Sequence, residues 1–165
     1  MNEPLDVLKA YWKHDTFRPT QEEIINTVLS DPRGWNKKGY YFQQVSIEDG
    51  LWARGQPGMK KFVIHVHVST NDTVKSECGF GNLSCADMKS NIIYFNRDRW
   101  LYGSKESRMS LDAYRTYVTN HEFGHLLDRG HHGCSRNRND ICPAMLQQTI
   151  SKGCCKPNPW PLDWE

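Results

Sequence analysis

Residues 121 to 134 read HEFGHLLDRGHHGC, four histidines with a glutamate, an aspartate and a cysteine in one short stretch. His121 and His125 are four apart, so on a helix both imidazoles project from one face and can reach one metal ion. Glu122 then lies about 100° round the helix from His121, where a carboxylate can act as general base on a water at the metal. Zinc suits such a set of nitrogen donors. A continued helix would carry His131 about 9 Å beyond His125. Zinc–nitrogen bonds are only about 2.0–2.1 Å, so the chain must break and turn back between Leu127 and His131 if His131 is the third ligand. Asp128-Arg129-Gly130 lies in that interval. Gly130 is free to take a positive φ, and Asp is among the few other residues that tolerate one. Asp128 therefore has two readings: a turn residue, or a carboxylate that hydrogen-bonds the far nitrogen of a histidine ligand. His132 is a spare that replaces His131 as ligand, faces outward, or supports the cleft.

The motif needs a scaffold, and the flanking sequence supplies one. Ser110 as N-cap and Asp112 in the first turn open a long helix whose apolar positions include Leu111, Tyr114, Val118, Leu126 and Leu127. A second helix is expected over 21–30, with Thr20 and Glu23 as a capping box, an apolar face of Ile24, Ile25, Val28 and Leu29, and Asp31-Pro32-Arg33-Gly34 as its stop. Strands are expected at 40–46, 61–69 and 91–96, with 91–96 as the exposed edge to which an extended substrate would pair. In 61–69, Phe62, Ile64, Val66 and Val68 share one face, while His65 and His67 share the other, as the wetter side of a half-buried strand or as a second pair of metal donors.

The whole chain bounds the answer. At 165 residues it has the length of one domain with a real core. The net charge is +2 and the basic residues are scattered, so nucleic acid is not an expected partner. Mean hydropathy is −0.73, and apolar runs such as FVIHVHV are too short to span a bilayer. The six cysteines, Cys78, Cys85, Cys134, Cys142, Cys154 and Cys155, all fall from residue 78 onward. An even number in a small domain suits disulfides and an oxidising or extracellular compartment, with a reduced cytoplasmic domain as the alternative. The sequons at Asn71 and Asn82 are compatible with secretion. The opening stretch MNEPLDVLKAYWKHD has neither the basic nor the apolar region of a signal peptide, which fits a mature segment or another route. Cys78 and Cys85 flank a short glycine-rich loop and are expected to bond to each other. The other four cysteines allow three pairings, and the adjacent Cys154 and Cys155 should take different partners.

His121, Glu122, His125 and His131 match the signature H-E-x-x-H-x-x-G-x-x-H, and in this the stretch resembles the metzincin zinc peptidases. It departs from that signature at Asp128, which stands in the place of the turn glycine. The resemblance implies a methionine turn below the metal, for which CPAMLQQT offers Met145 after Pro143. Where some metzincins carry a zinc-touching tyrosine, this chain has Gln147, which implies three protein ligands and a water. More widely, DPRGW, CGFGNLSC, NRDRW, NHEFGHLLDRGHHGC, PAMLQQT and CKPNPWP resemble, in order, the landmarks of an uncharacterised bacterial family of small secreted metzincin-like proteins. Those landmarks suggest Cys134–Cys155 with Cys142–Cys154.

The expected fold is α+β and metzincin-like: a small twisted sheet with a backing helix, an active-site helix and a cystine-stapled C-terminal part. One catalytic domain would fill 1–165, divided into 1–127 and 128–165. The expected function is zinc-dependent hydrolysis of a polypeptide substrate by a monomer. The rival is a non-catalytic zinc-stapled binding module in which Asp128 marks drift. Glu122 speaks against the rival, because a purely structural site has no use for a base beside an open position.

Overall fold

The computed structural model describes residues 7–12, 19–134, 140–151 and 155–165, with the backbone alone for 7–12 and 19–20. Its architecture is α+β. Five strands form one mixed sheet: β1 (Val7–Trp12), β2 (Tyr41–Gln44), β3 (Val63–Ser69), β4 (Cys85–Asp87) and β5 (Ile92–Asn96), in the order β2-β1-β3-β5-β4. The first three pairings are parallel and β4 runs antiparallel to β5. The helices are α1 (Pro19–Ser30), α2 (Ile47–Gly55), α3 (Asn71–Cys78), α4 (Arg97–Tyr102) and α5 (Leu111–Leu126).

The alternation along β3 divides the protein into two layers. Ile64 and Val66 enter the main core with Ile93 and Phe95 of β5, Ile25 and Leu29 of α1, and Tyr114, Tyr117, Val118 and Phe123 of α5. Each fully buried aliphatic or aromatic side chain of this kind contributes about 1.5–3 kcal/mol relative to exposure. Val63 points the other way and packs with Ala53 of α2 in a second, smaller cluster. His65 and His67 are half-buried on that same side, their rings 4.1 Å apart, and His67 stacks on Tyr94 at 5.2 Å.

Several landmark residues turn out to hold α5 in place. Buried Trp35 donates its indole N–H to Asn120 O (2.9 Å), and Asn120 Nδ2 donates to Pro159 O (2.9 Å). Arg33 lies over the Trp160 ring, 4.3 Å from its centroid. Asn96 caps α4 by accepting from Arg99 N (3.0 Å), which carries Trp100 into the core.

Two expectations are corrected. The helix expected over 21–30 begins at Pro19, so Thr20 lies inside the first turn rather than at the cap. Proline is well suited to a first helical position, where its missing N–H has no intrahelical partner to lose. The exposed edge is also not 91–96. β5 lies between β3 and β4, and the short β4 is the outer strand beside it. Cys78 ends α3, Cys85 opens β4, and the two are disulfide-bonded.

Candidate metal centre

The histidines are carried by the last turns of α5 and by the segment that folds back from it. Ser110 caps the helix by accepting from Ala113 N (3.2 Å). The far end closes as a Schellman motif: Arg129 N donates to Gly124 O (3.0 Å) and Asp128 N to His125 O (3.1 Å). Asp128 stands at φ +60°, the left-handed region where glycine is usual, whereas Gly130 takes no positive φ. The reversal therefore rests on Asp128, and Gly130 does not share it as the sequence suggested.

That reversal brings His131 back over α5. His131 Nε2 lies 3.2 Å from His121 Nε2 and 3.1 Å from His125 Nε2, and one ring nitrogen from each of the three falls within 4.8 Å of the others. Tetrahedral coordination at the usual zinc–nitrogen length separates ligand nitrogens by about 3.3 Å, so the spacing suits one ion. The protonation pattern suits it as well. His121 Nδ1 donates to Ala144 O (2.8 Å) and His125 Nδ1 to Arg129 O (2.9 Å). A carbonyl only accepts, so in each neutral ring the proton sits on Nδ1 and Nε2 carries a bare lone pair. His131 could donate to at most one of them. The cluster thus points lone pairs at one another, which is the requirement of a Lewis acid and not of a self-satisfied hydrogen-bond group. Burial lowers the His121 pKa to about 3 and lowers those of His125 and His131, which keeps the rings in the neutral, ligating form. His121 is buried, His125 half-buried and His131 exposed, so the group opens toward solvent on the His131 side.

Glu122 is 4% exposed, and burial pushes its carboxyl up to about 8. It shares a small hollow with His121, Tyr117, Leu83, Gln147, Thr149 and Ile150. Leu83 belongs to the loop that leads into β4, so the outer strand begins next to Glu122. Below the histidines, Met145 is fully buried against Gly124. A Cβ on Gly124 would overlap Met145 Sδ and stand 2.7 Å from Trp35 Cζ2, so only glycine lets the two approach between the helix histidines. His132 sits outside the cluster: its N–H donates to Met145 O (3.1 Å) and its ring meets Trp164 edge-on at 5.0 Å. Cys134–Cys155 is a disulfide just beyond His131, Cys142 is buried, and the expected Cys142–Cys154 pair lies outside the described residues. The groups that sequence reasoning missed are the carbonyls of Ala144 and Arg129, which orient the rings of His121 and His125.

The Asp128 carboxylate is exposed, and the Nδ1 atoms of His121 and His125 meet backbone carbonyls instead of it. Asp128→Gly and Asp128→Asn are therefore expected to keep wild-type metal affinity. Glycine should hold or raise stability by up to about 1 kcal/mol, and Asp128→Val should lower it by about 1–2 kcal/mol, read from denaturant midpoints. Loss of metal in both the Gly and the Asn variants would instead assign the carboxylate a part in orienting a ligand.

Three solved chains resemble this one at low identity. A crystal structure of myroilysin is 17% identical with a TM-score of 0.46, covering 85% of this chain and 51% of its own, and a second myroilysin structure is 16% identical with a TM-score of 0.45. This chain spans about half the length of myroilysin. A zinc-dependent peptidase from Methanocorpusculum labreanum (strain Z) is 12% identical with a TM-score of 0.46, covering 94% of this chain and 96% of its own. No curated protein matches the chain. Residues 8–162 match the model of one protein family, and the chain belongs to that family, DUF3152, whose description is "Protein of unknown function".

Proposed function

We propose that this chain is a metzincin-like zinc metalloendopeptidase with His121, His125 and His131 as the protein ligands and Glu122 as the general base. The observation that carries the reading is the convergence of three imidazole nitrogens, two of them with lone pairs fixed by their Nδ1 bonds, beside the buried carboxyl of Glu122. Among the described residues no fourth His, Cys, Asp or Glu joins the three. A purely structural site normally closes its coordination with a fourth protein ligand, so this donor set fits a catalytic site better than a zinc-stapled binding module.

Zinc held there supplies Lewis acidity toward a carbonyl oxygen and lowers the pKa of a water to about 7. Glu122 takes the proton of the attacking water and returns it to the leaving amine. His121 is oriented by Ala144 O and His125 by Arg129 O, so the chain presents its nitrogens without rearrangement. Met145 forms the floor of the site as the methionine turn, and Gln147 leaves it without a phenol ligand. The substrate is an extended polypeptide that adds to β4, the outer strand that begins beside Glu122. Residues 1–165 act as one catalytic unit and a monomer. The two disulfides fit an oxidising compartment, and no helix among the described residues is long and apolar enough to cross a membrane.

Purified protein is expected to contain about one zinc per chain and to cleave an unfolded polypeptide. A chelator should stop the cleavage and added zinc should restore it. Zinc-loaded protein without chelator-sensitive cleavage would overturn the peptidase reading, and protein unable to bind zinc would overturn the metal centre as well.

A further inference from the structure

We infer that Glu165 is a positioning residue of the metal centre, its side chain fixing the two-residue segment on which His121 is oriented; the inference rests on the zinc-site reading above. Glu165 is a charged-type residue at 3% exposure, far along the chain from the histidines and outside every motif. Its Oε1 accepts from Met145 N (2.8 Å), and its Oε2 accepts from Ala144 N (3.0 Å) and Leu162 N (2.6 Å). Glu165 N donates to Leu162 O (3.1 Å), which closes a turn over 162–165 and holds the carboxyl in place.

The opposite side of the same segment faces the ligands. Ala144 O accepts from His121 Nδ1 (2.8 Å), and Met145 O accepts from the N–H of His132, the neighbour of His131. All four backbone polar groups of residues 144 and 145 are therefore committed: two N–H groups to Glu165 and two carbonyls to the histidine-bearing segments. Ala144 and Met145 are both fully buried, which keeps solvent from replacing a lost acceptor. Two successive N–H groups call for two acceptor atoms side by side, and a carboxylate offers them on one rigid group. A glutamine would turn an NH2 donor toward one of those N–H groups. The segment would then shift, and the carbonyl that sets the His121 ring would shift with it.

The test compares wild type, Glu165→Gln, Glu165→Asp and the core variant Val63→Ala, whose side chain packs in the second, smaller cluster and not in the one that holds Met145. Zinc affinity is measured by chelator competition, the visible spectrum is recorded with Co2+ in place of zinc, and melting temperatures are taken alongside. Glu165→Gln is expected to weaken zinc binding about tenfold or more and to alter the Co2+ bands, since both report ligand orientation. Val63→Ala is expected to lower the melting temperature with affinity and spectrum unchanged. Glu165→Asp keeps both oxygens but withdraws them by one methylene, and it supplies the same two readouts if the glutamine variant does not fold. Wild-type affinity and Co2+ spectrum in the folded Glu165 variants would overturn the assignment and leave the metal centre intact. A wild type that binds neither zinc nor Co2+ would overturn the metal centre itself.

Discussion

Glu122→Gln is expected to keep its zinc and to lose hydrolysis by about 10²- to 10⁴-fold, the usual contribution of a positioned general base. The substitution preserves shape and removes only the capacity to take a proton. Glu122 is not one of the three converging donors, so metal content should equal that of wild type. Stability gives an independent readout of the same side chain. Burial raises the folded-state pKa of Glu122 from the ordinary 4.5 to about 8. An acid with a raised folded pKa contributes stability below its unfolded pKa and loses that stability as the pH rises toward the folded value. The three histidines have lowered folded-state pKa values and add stability over part of the same window in both proteins. The readout is therefore the difference: metal-free wild type should lose stability relative to metal-free Glu122→Gln between about pH 4.5 and 8. Denaturant midpoints of chelated protein at both ends of that window, with cleavage rates of the zinc forms, give the comparison. A glutamine variant that retains more than a tenth of the wild-type rate would place the base elsewhere.

The parts of this site that were legible in the sequence are those in which side-chain identity carries the chemistry. Imidazoles at helical spacing with a carboxylate beside the first have few other uses, and the distance from His125 to His131 demanded a reversal before any backbone was known. The reversal appears at Asp128, one of the two residues considered, and not at Gly130. The groups that orient His121 and His125 were hidden for a physical reason. Ala144 O and Arg129 O are backbone atoms, and any residue type could supply them. Glu165 was hidden because its partners are backbone N–H groups about twenty residues away, with no periodicity to mark them.

The scaffold divides in the same way. β3 announced itself by alternation and α5 by its cap and apolar positions. α2 did not, because it exposes Leu51 and Trp52 while burying Gly50 and Ala53, so hydrophobicity points to the wrong face. α3 buries only Val74, and β4 is three residues long, too short for either to show a period. The misplaced edge follows from that. Strand order is a non-local property, and with β4 unseen, β5 was left as the outermost recognisable strand.

His131→Ala is expected to lose metal almost completely, and His132→Ala to keep it. The two residues are adjacent and of one type, so only the path of the chain after Leu127 separates them. With Asp128 left-handed and Arg129 N bonded back to Gly124 O, the irregular stretch that follows brings His131 back over the end of α5. The ring contacts show that one histidine of the pair faces α5 and the other faces away. His131 is the inward one, with Nε2 3.2 Å and 3.1 Å from its two partners. His132 is held by its backbone to Met145 O and turns its ring onto Trp164. Removing His131 leaves two donors, and the loss of affinity should exceed the 10- to 100-fold typical of a group that merely orients a ligand. Removing the His132 ring takes away one aromatic contact, worth about 0.5–1.5 kcal/mol of stability, and no donor. Zinc titrations of the two variants, each checked for folding by its melting curve, decide between the registers. Full zinc in His131→Ala together with its loss in His132→Ala would mean that the chain leaves α5 one residue out of the register described here, and the hydrogen bond from His132 N to Met145 O would fall with it.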